Sequence, residues 1–328
     1  MKKISLEMGS GGKLMRDFLH DSILERFQSP LLAELSDAAR LPLGVAFTTD
    51  SYVVDPLVFP GGDIGCLSVF GTVNDLVVSG ARPLYLSLGL ILEEGLESGL
   101  LDRILRSIAN AARKSGVEVV TGDTKVVRRG QGDKIYINTA GIGTPVGRPS
   151  PGRIRPGDKI LVTGPLGDHS VAIMSARGEL GFETRVTSDC APLLFLLPLW
   201  KKGALWMRDI TRGGLATVLS ELAENIPYPL IISEEKIPLS RPVRSAAEIL
   251  GIDPLYLACE GRAAVIVPKT KADLALREIR RHPKGRKAAV IGEVTSRIGE
   301  PGELLLETAT GGLRRLEALT SELLPRIC

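Results

Sequence analysis

Aromatic side chains make up only 4% of this 328-residue chain, which has just three histidines, four cysteines and a formal net charge of +3. Each shortage closes off a class of function. So few rings leave little to stack on bases, and so little charge leaves little to hold a phosphate backbone, so we expect no nucleic-acid partner. His20, His169 and His282 lie far apart, and Cys66, Cys190, Cys259 and Cys328 form no CxxC pair. That argues against a zinc site and a disulfide framework, and Cys66 reads as a small hydrophobe. No apolar run approaches the roughly 18–20 residues of a bilayer span. The opening "MKKISLEMGSGGK" has no hydrophobic segment behind its lysines. The expectation is a cytoplasmic protein that does not engage the membrane.

Glycine (36) and proline (21) are abundant beside 44% hydrophobic and 24% charged residues. This is the composition of a globular α/β protein whose turns are glycine-rich. The length predicts about two domains of roughly 150 residues. "LGVAFTTDSYVV" reads as a strand ending at the turn "FPGGD", Ile64 to Gly80 as a buried helix, and "LYLSLGLILEE" as a buried strand. "SGLLDRILRSIANAARKSG" carries Leu101, Ile104, Leu105, Ile108 and Ala112 on one helical face, with Gly116 as its stop. "VEVVTGDTKVV" and "KIYINTAGIG" follow as strands. The tract "PVGRPSPGRIRPGD" separates residues 1–150 from a second α/β domain over 151–318. That domain has strands at "KILVTG", "AAVIVP" and "AAVIGEV", and helices at "GDHSVAIMSARG", "RGGLATVLSELAEN", "VRSAAEILG" and "KADLALREIRRH". Residues 319–328 read as a mobile tail, its last ten residues able to reach about 33 Å when extended. The fold class is α/β (α+β).

Several residues could carry chemistry. In "GSGGKL", Gly11 and Gly12 could aim backbone N–H groups at an anion and Lys13 could add charge. The P-loop spacing is absent, however, and a flexible N-terminal segment is the plainer reading of that cluster alone. Asp50 ends a strand, Asp63 sits in "GGDIG", Asn74 and Asp75 interrupt an apolar helix, and Asp123 follows a strand in "TGDTK". An acid in an apolar helix is costly unless paired or bound to a cation. Together these carboxylates could converge on Mg²⁺, which uses a few carboxylates plus phosphate oxygens and water. Any one of them alone could be a cap or turn former. Lys125 should share a strand face with Asp123. Asp209 reads as an acid in the N-cap region of a helix, with Arg212 and two glycines in a phosphate-facing turn. Glu260 precedes a buried strand, where a salt bridge is the ordinary explanation.

Taken in order, "GSGGK", "TTDSYVVDPLVFPGGDIG", "GTVNDLVVSGA", "TGDTKVV", "GDHSVAIMSARGEL", "MRDITRGGLA", "LACEG" and the terminal "PRIC" resemble the HypE family of hydrogenase maturation factors. That family lies within the superfamily of ATP-using enzymes that includes aminoimidazole ribonucleotide synthetase. The resemblance runs from residue 9 to the last residue. It implies the two-domain fold of that synthetase, a homodimer formed through the N-terminal domain, and ATP with Mg²⁺ as cofactors. Nucleotide binding would fall to Gly11, Gly12, Lys13, Asp50, Asn74, Asp75, Asp123 and Asp209, and the metal to Asp50, Asp75 and Asp123. It also implies the chemistry. A partner carbamoyltransferase, HypF, loads a carbamoyl group onto Cys328, and ATP drives dehydration of that thiocarbamate to a thiocyanate. The cyanide then passes through a HypC–HypD complex to the iron of a [NiFe] hydrogenase. Lys125 and Glu260 match positions that handle the carboxamide protons. Phosphorylating the amide oxygen makes phosphate the leaving group, a step that needs positioning and charge neutralisation. The family's usual Asn before this Glu-Gly pair is replaced here by Cys259. Selenophosphate synthetase and thiamine phosphate kinase share such an ATP site, but neither accounts for "PRIC". A scaffold that only presents Cys328 is a rival of another class.

Overall fold

The structure is a computed structural model and describes residues 3–9, 12–181, 184–320 and 326–328. Two sheets organise it. The first contains β1 (Ala39–Leu41), β2 (Val45–Tyr52), β5 (Ala81–Glu93), β6 (Glu118–Val127) and β7 (Ile135–Pro145), in the order β1-β2-β7-β5-β6. A small ribbon of β3 (Val58–Phe59) and β4 (Gly62–Asp63) leads into the helix Ile64–Val78. Along β2 the side chains alternate, so Ala46, Thr48 and Tyr52 are buried while Phe47, Thr49 and Ser51 are exposed. Asp50 falls on the inward face by the same two-residue period.

The helix Ile64–Val78 is apolar on nearly every side because it is covered on nearly every side, with all but Cys66 and Asp75 buried. Asp63 caps it, its carboxylate accepting the Cys66 N–H at 2.9 Å. The amphipathic helix Ser98–Ser115 packs beside it and ends at Gly116, whose left-handed backbone (φ 65°) suits glycine. Both elements match their sequence reading.

The second sheet runs β14-β13-β10-β12-β8-β11-β9. Its strands are β8 (Lys159–Val162), β9 (Trp206–Asp209), β10 (Leu230–Ser233), β11 (Ala263–Val267), β12 (Ala289–Val294), β13 (Leu304–Glu307) and β14 (Leu313–Leu316). β11 is buried at every residue, as expected for an apolar run with sheet on either side. The sequence reading had not assigned β9, β10, β13 or β14. Each is only four residues long, too short to show a period.

The helix Ile64–Val78 forms the wall between the two sheets. Trp200 donates its indole N–H to the Val77 carbonyl at 2.9 Å. The Asn74 amide donates to the Ala191 carbonyl at 3.1 Å and the Glu260 carbonyl at 3.5 Å, and accepts the Leu193 N–H at 2.8 Å. One hydrophobic cluster therefore spans both halves, from Leu67 and Val73 to Leu193, Leu199 and Val265.

Candidate active site

The crossing of the two halves collects acids. Asp75 projects from the helix Ile64–Val78, Asp209 ends β9, and Asp37 lies just before β1; each offers one carboxylate oxygen within 4.8 Å of those of the other two. Asp209 is therefore a strand terminus. The helix after it begins at Gly214, capped by Gly213, which corrects the N-cap expectation. The Thr48 hydroxyl lies 2.9 Å from Asp75 Oδ2. Arg208 answers one edge of the cluster, its Nε 3.1 Å from Asp37 and its Nη1 3.4 Å from Glu221.

This much negative charge is held with too few cations. Burial is the first cause that raises Asp75 well above the carboxylate range, followed by the charges of Asp209, Asp37 and Asp50. Asp209 is pushed up to about 7, by burial and then by Asp37. Burial raises Asp37 against the pull of Arg208, and Asp50 against that of Arg212. An all-oxygen site of clustered carboxylates suits a hard divalent cation such as Mg²⁺. The cation-free protein should accordingly carry a pH signature. These carboxyls hold protons in the fold at pH values where the unfolded chain has lost them. For Asp209 the stabilising effect is complete below about pH 4 and is lost as pH rises through about 7, and Asp37, Asp50 and Asp75 contribute with the same sign. We expect the melting temperature of metal-free protein to fall by about 5 °C between mildly acidic and mildly alkaline buffer. Millimolar MgCl₂ should restore most of it at the alkaline end only. A melting temperature insensitive to Mg²⁺ at both ends would remove the cation site.

Glu260 lies three residues before β11 and is 3% exposed. Its Oε1 has no hydrogen-bond partner, so the ordinary salt-bridge explanation fails. Burial raises its pKa well above the usual carboxylate range, and Asp209, Asp189 and Asp50 push the same way against Arg212. A buried carboxyl with an open oxygen is poised to take or give a proton. Cys259 turns away from it, accepting the Gly167 N–H at 3.2 Å and packing into the second hydrophobic cluster.

The end of the chain comes to the same place. Residues 326–328 lie alongside 53–55: the Val53 N–H donates to the Cys328 carbonyl at 3.2 Å and the Asp55 N–H to the Arg326 carbonyl at 3.2 Å. Arg177 also donates to the Arg326 carbonyl, at 2.7 Å, and the Arg326 side chain pairs with Asp133. His169 is fully buried, with Nε2 2.7 Å from the Ile327 carbonyl and Nδ1 2.8 Å from the Ser188 hydroxyl. A carbonyl can only accept, so Nε2 carries the proton and Nδ1 accepts from Ser188. Burial lowers the His169 pKa and keeps the ring neutral. The charge of Cys328 is the largest influence on Arg212, raising its pKa ahead of the contributions of Asp50 and Glu260. Arg212 thus links the chain terminus to the acids.

The structure brings together Asp50, Asp75, Asp209, Glu260 and Cys328. Asn74 belongs to the interface between halves, its amide used up on backbone groups. Gly11 lies outside the described residues. Gly12 is a point of close approach, where a Cβ would stand 1.9 Å from the Leu319 carbonyl. Lys13 donates its backbone N–H to that carbonyl at 3.1 Å and keeps its side chain exposed. Asp123 and Lys125 do share a strand face and pair at 3.0 Å, but each side chain is 68% exposed on β6. β6 is the sheet's edge, three strands from the β2 that carries Asp50, about 14 Å at the usual spacing. One chain therefore does not join Asp123 to Asp50 and Asp75 at one metal, nor Lys125 to Glu260. Asp37 takes the third place in the carboxylate cluster. Asp37 and His169 were missed by sequence reasoning: Asp37 sits in the turn-like "LSDAAR", and His169 in an apolar helix reads as core.

The family models for AIR synthase related proteins match this chain, the N-terminal domain over residues 35–144 and the C-terminal domain over 155–300. The carbamoyl dehydratase HypE of Rhodobacter capsulatus is 47% identical over 337 residues, covering 100% of this chain and 98% of that protein. The chain belongs to the HypE family. A HypE crystal structure in complex with ATP aligns with TM-score 0.83 and 47% identity over 99% of this chain and 100% of the other. The HypE of a HypE–HypF complex aligns with TM-score 0.87 and 41% identity, covering 92% of this chain and 99% of that one. The expected AIR-synthase-like α/β fold and HypE kinship are both met. Among the described residues no helix is long and apolar enough to cross a membrane.

Proposed function

We propose that this chain carries a carbamoyl group on Cys328 and dehydrates it with ATP to a thiocyanate, supplying cyanide for hydrogenase maturation. The observation that carries the reading is the seating of residues 326–328 beside Arg212, in the acid-lined crossing that also holds Glu260. Its relatives include a HypE named carbamoyl dehydratase, and similar HypE proteins have been solved with ATP and with HypF. HypF is the carbamoyl donor in this reading, HypC–HypD the acceptor, and the cytoplasm the compartment.

The residues divide the work as follows. His169, Arg177 and the 53–55 backbone hold the tail, and Arg212 draws its end toward the site. Asp37, Asp75 and Asp209 would hold Mg²⁺, with Asp50 beside them; bound there, the cation would neutralise phosphate charge. Glu260 accepts the nitrogen proton as the phosphorylated carboxamide collapses to the nitrile, the kind of transfer a positioned carboxylate accelerates.

The same reading includes a homodimer. The outer face of the first sheet is an open apolar stripe in which Phe47 lies opposite Ile142 and Ile142 opposite Tyr85, all exposed. Val119, Val120 and Val126 are exposed on β6 beside it. Such a patch marks an association surface, and a second copy on it supplies Asp123 and Lys125 to the first copy's site.

Peptide mass spectrometry after incubation with HypF, carbamoyl phosphate and ATP tests the reaction. Cys328 should first gain a carbamoyl group and then lose one water only where ATP is hydrolysed. Carbamoylation that never proceeds to dehydration would leave a carrier or scaffold in place of an enzyme.

A further inference from the structure

A second site lies in a pocket of about 670 Å³ that none of Asp37, Asp75, Asp209 or Glu260 lines. Its walls hold Cys66 and Cys190 together with the cations Arg103, Arg106, Lys114 and Lys284. The carboxylate facing it, Asp63, is occupied by the Cys66 N–H. Arg106 pairs with Asp102, and Lys114 stands 5.5 Å from the Phe70 ring centroid. The balance of the lining is positive.

The two thiols line the same pocket although they are 124 residues apart in sequence (190 − 66). Cys66 is the third residue of the helix Ile64–Val78, its sulfur 3.3 Å from the Asp63 N–H, while Cys190 is buried in the segment that Asn74 clamps. We propose that Cys66 is a thiol-exchange site for small anionic disulfides of peptide size, with Cys190 resolving the adduct. The Cys66 thiolate attacks one sulfur of the bound disulfide, forming a mixed disulfide and releasing one thiolate. Cys190 gives up its proton and attacks Cys66, forming the Cys66–Cys190 bond and releasing the second half as a thiol. The chain loses two electrons and the small disulfide gains them. The neighbouring Cys190 thiol is the largest cause lowering the Cys66 pKa, and the neighbouring Cys66, with burial, raises that of Cys190. That is the order exchange requires of attacking and resolving thiols. The pocket has the volume of ordinary small-molecule sites, and its charge suits carboxylate-bearing peptides.

The test incubates reduced full-length protein with oxidised glutathione, then maps its thiols by alkylation and peptide mass spectrometry. The expected product links the Cys66 and Cys190 peptides and leaves Cys259 alkylatable. Cys190→Ser should stop at one glutathione on Cys66. Cystamine, a cationic disulfide, should react with Cys66 about tenfold more slowly at low salt, and the pair Arg103→Glu with Lys284→Glu should erase that preference. Adducts confined to Cys328, with Cys66 and Cys190 still alkylatable in the wild-type protein, would overturn the proposal. Equal rates for the two disulfides would overturn its anionic specificity.

Discussion

Glu260→Gln leaves Cys328 open to carbamoylation but slows thiocyanate formation by about 10²–10⁴-fold, the usual contribution of a positioned proton acceptor. Glutamine keeps the shape of the side chain and removes only its ability to take up a proton. The buried carboxyl has an unpartnered Oε1 and lies among Asp50, Asp189 and Asp209. An amide there can donate to the surrounding acids, so the variant should melt no lower than wild type. Because burial raises its pKa well above the usual carboxylate range, wild-type Glu260 becomes an acceptor only as pH climbs through that raised pKa. The wild-type single-turnover rate should therefore rise with pH, while the residual rate of Glu260→Gln stays flat. Single turnovers of pre-carbamoylated protein, quenched and read by mass at Cys328, measure both. Dehydration at the normal rate in the variant would remove Glu260 from the chemistry.

The second large effect is a recovery of activity. Lys125→Ala and Glu260→Gln proteins should each be inactive alone. Mixed and allowed to exchange subunits, they should regain about a quarter of wild-type activity. A two-fold dimer that shares its sites places both lesions of a mixed dimer in one site and leaves the other intact. Half the dimers are mixed and half of their sites are whole. Lys125 lies exposed on the edge strand β6 while Glu260 is buried at the crossing of the sheets, so one chain alone cannot supply both. Val120→Glu, which puts a charge on the apolar edge, should yield an inactive monomer by sedimentation. Activity in that monomer, or no recovery on mixing, would exclude the shared site.

Much of this was legible in the sequence where the signal was local. The helix Ile64–Val78 was visible as an apolar run, and Asp75 within it stood out because an acid there needs a reason. Asp50 was visible at the end of a well-patterned strand. The "TGDTK" motif gave the Asp123–Lys125 pairing but not its location. Strand order is a long-range property, and only the placement of β5 between β6 and β7 puts that pair on the outer edge. The same limit hid Asp37, whose partners Asp75 and Asp209 lie 38 and 172 residues further on (75 − 37; 209 − 37). The backbone bonds of Asn74 could not be inferred either, because they run to Ala191, Leu193 and Glu260 in the other half of the chain.

The seat of the tail has one more consequence. Its grip falls on the carbonyls of Arg326, Ile327 and Cys328 and on the Arg326 side chain. None of these groups changes when the sulfur gains a carbamoyl group or becomes a thiocyanate. This backbone part of the seat is therefore the same for the unloaded, loaded and finished forms, and by itself it favours no direction around the cycle. Direction has to come from whatever meets the sulfur and its cargo, and from ATP turnover.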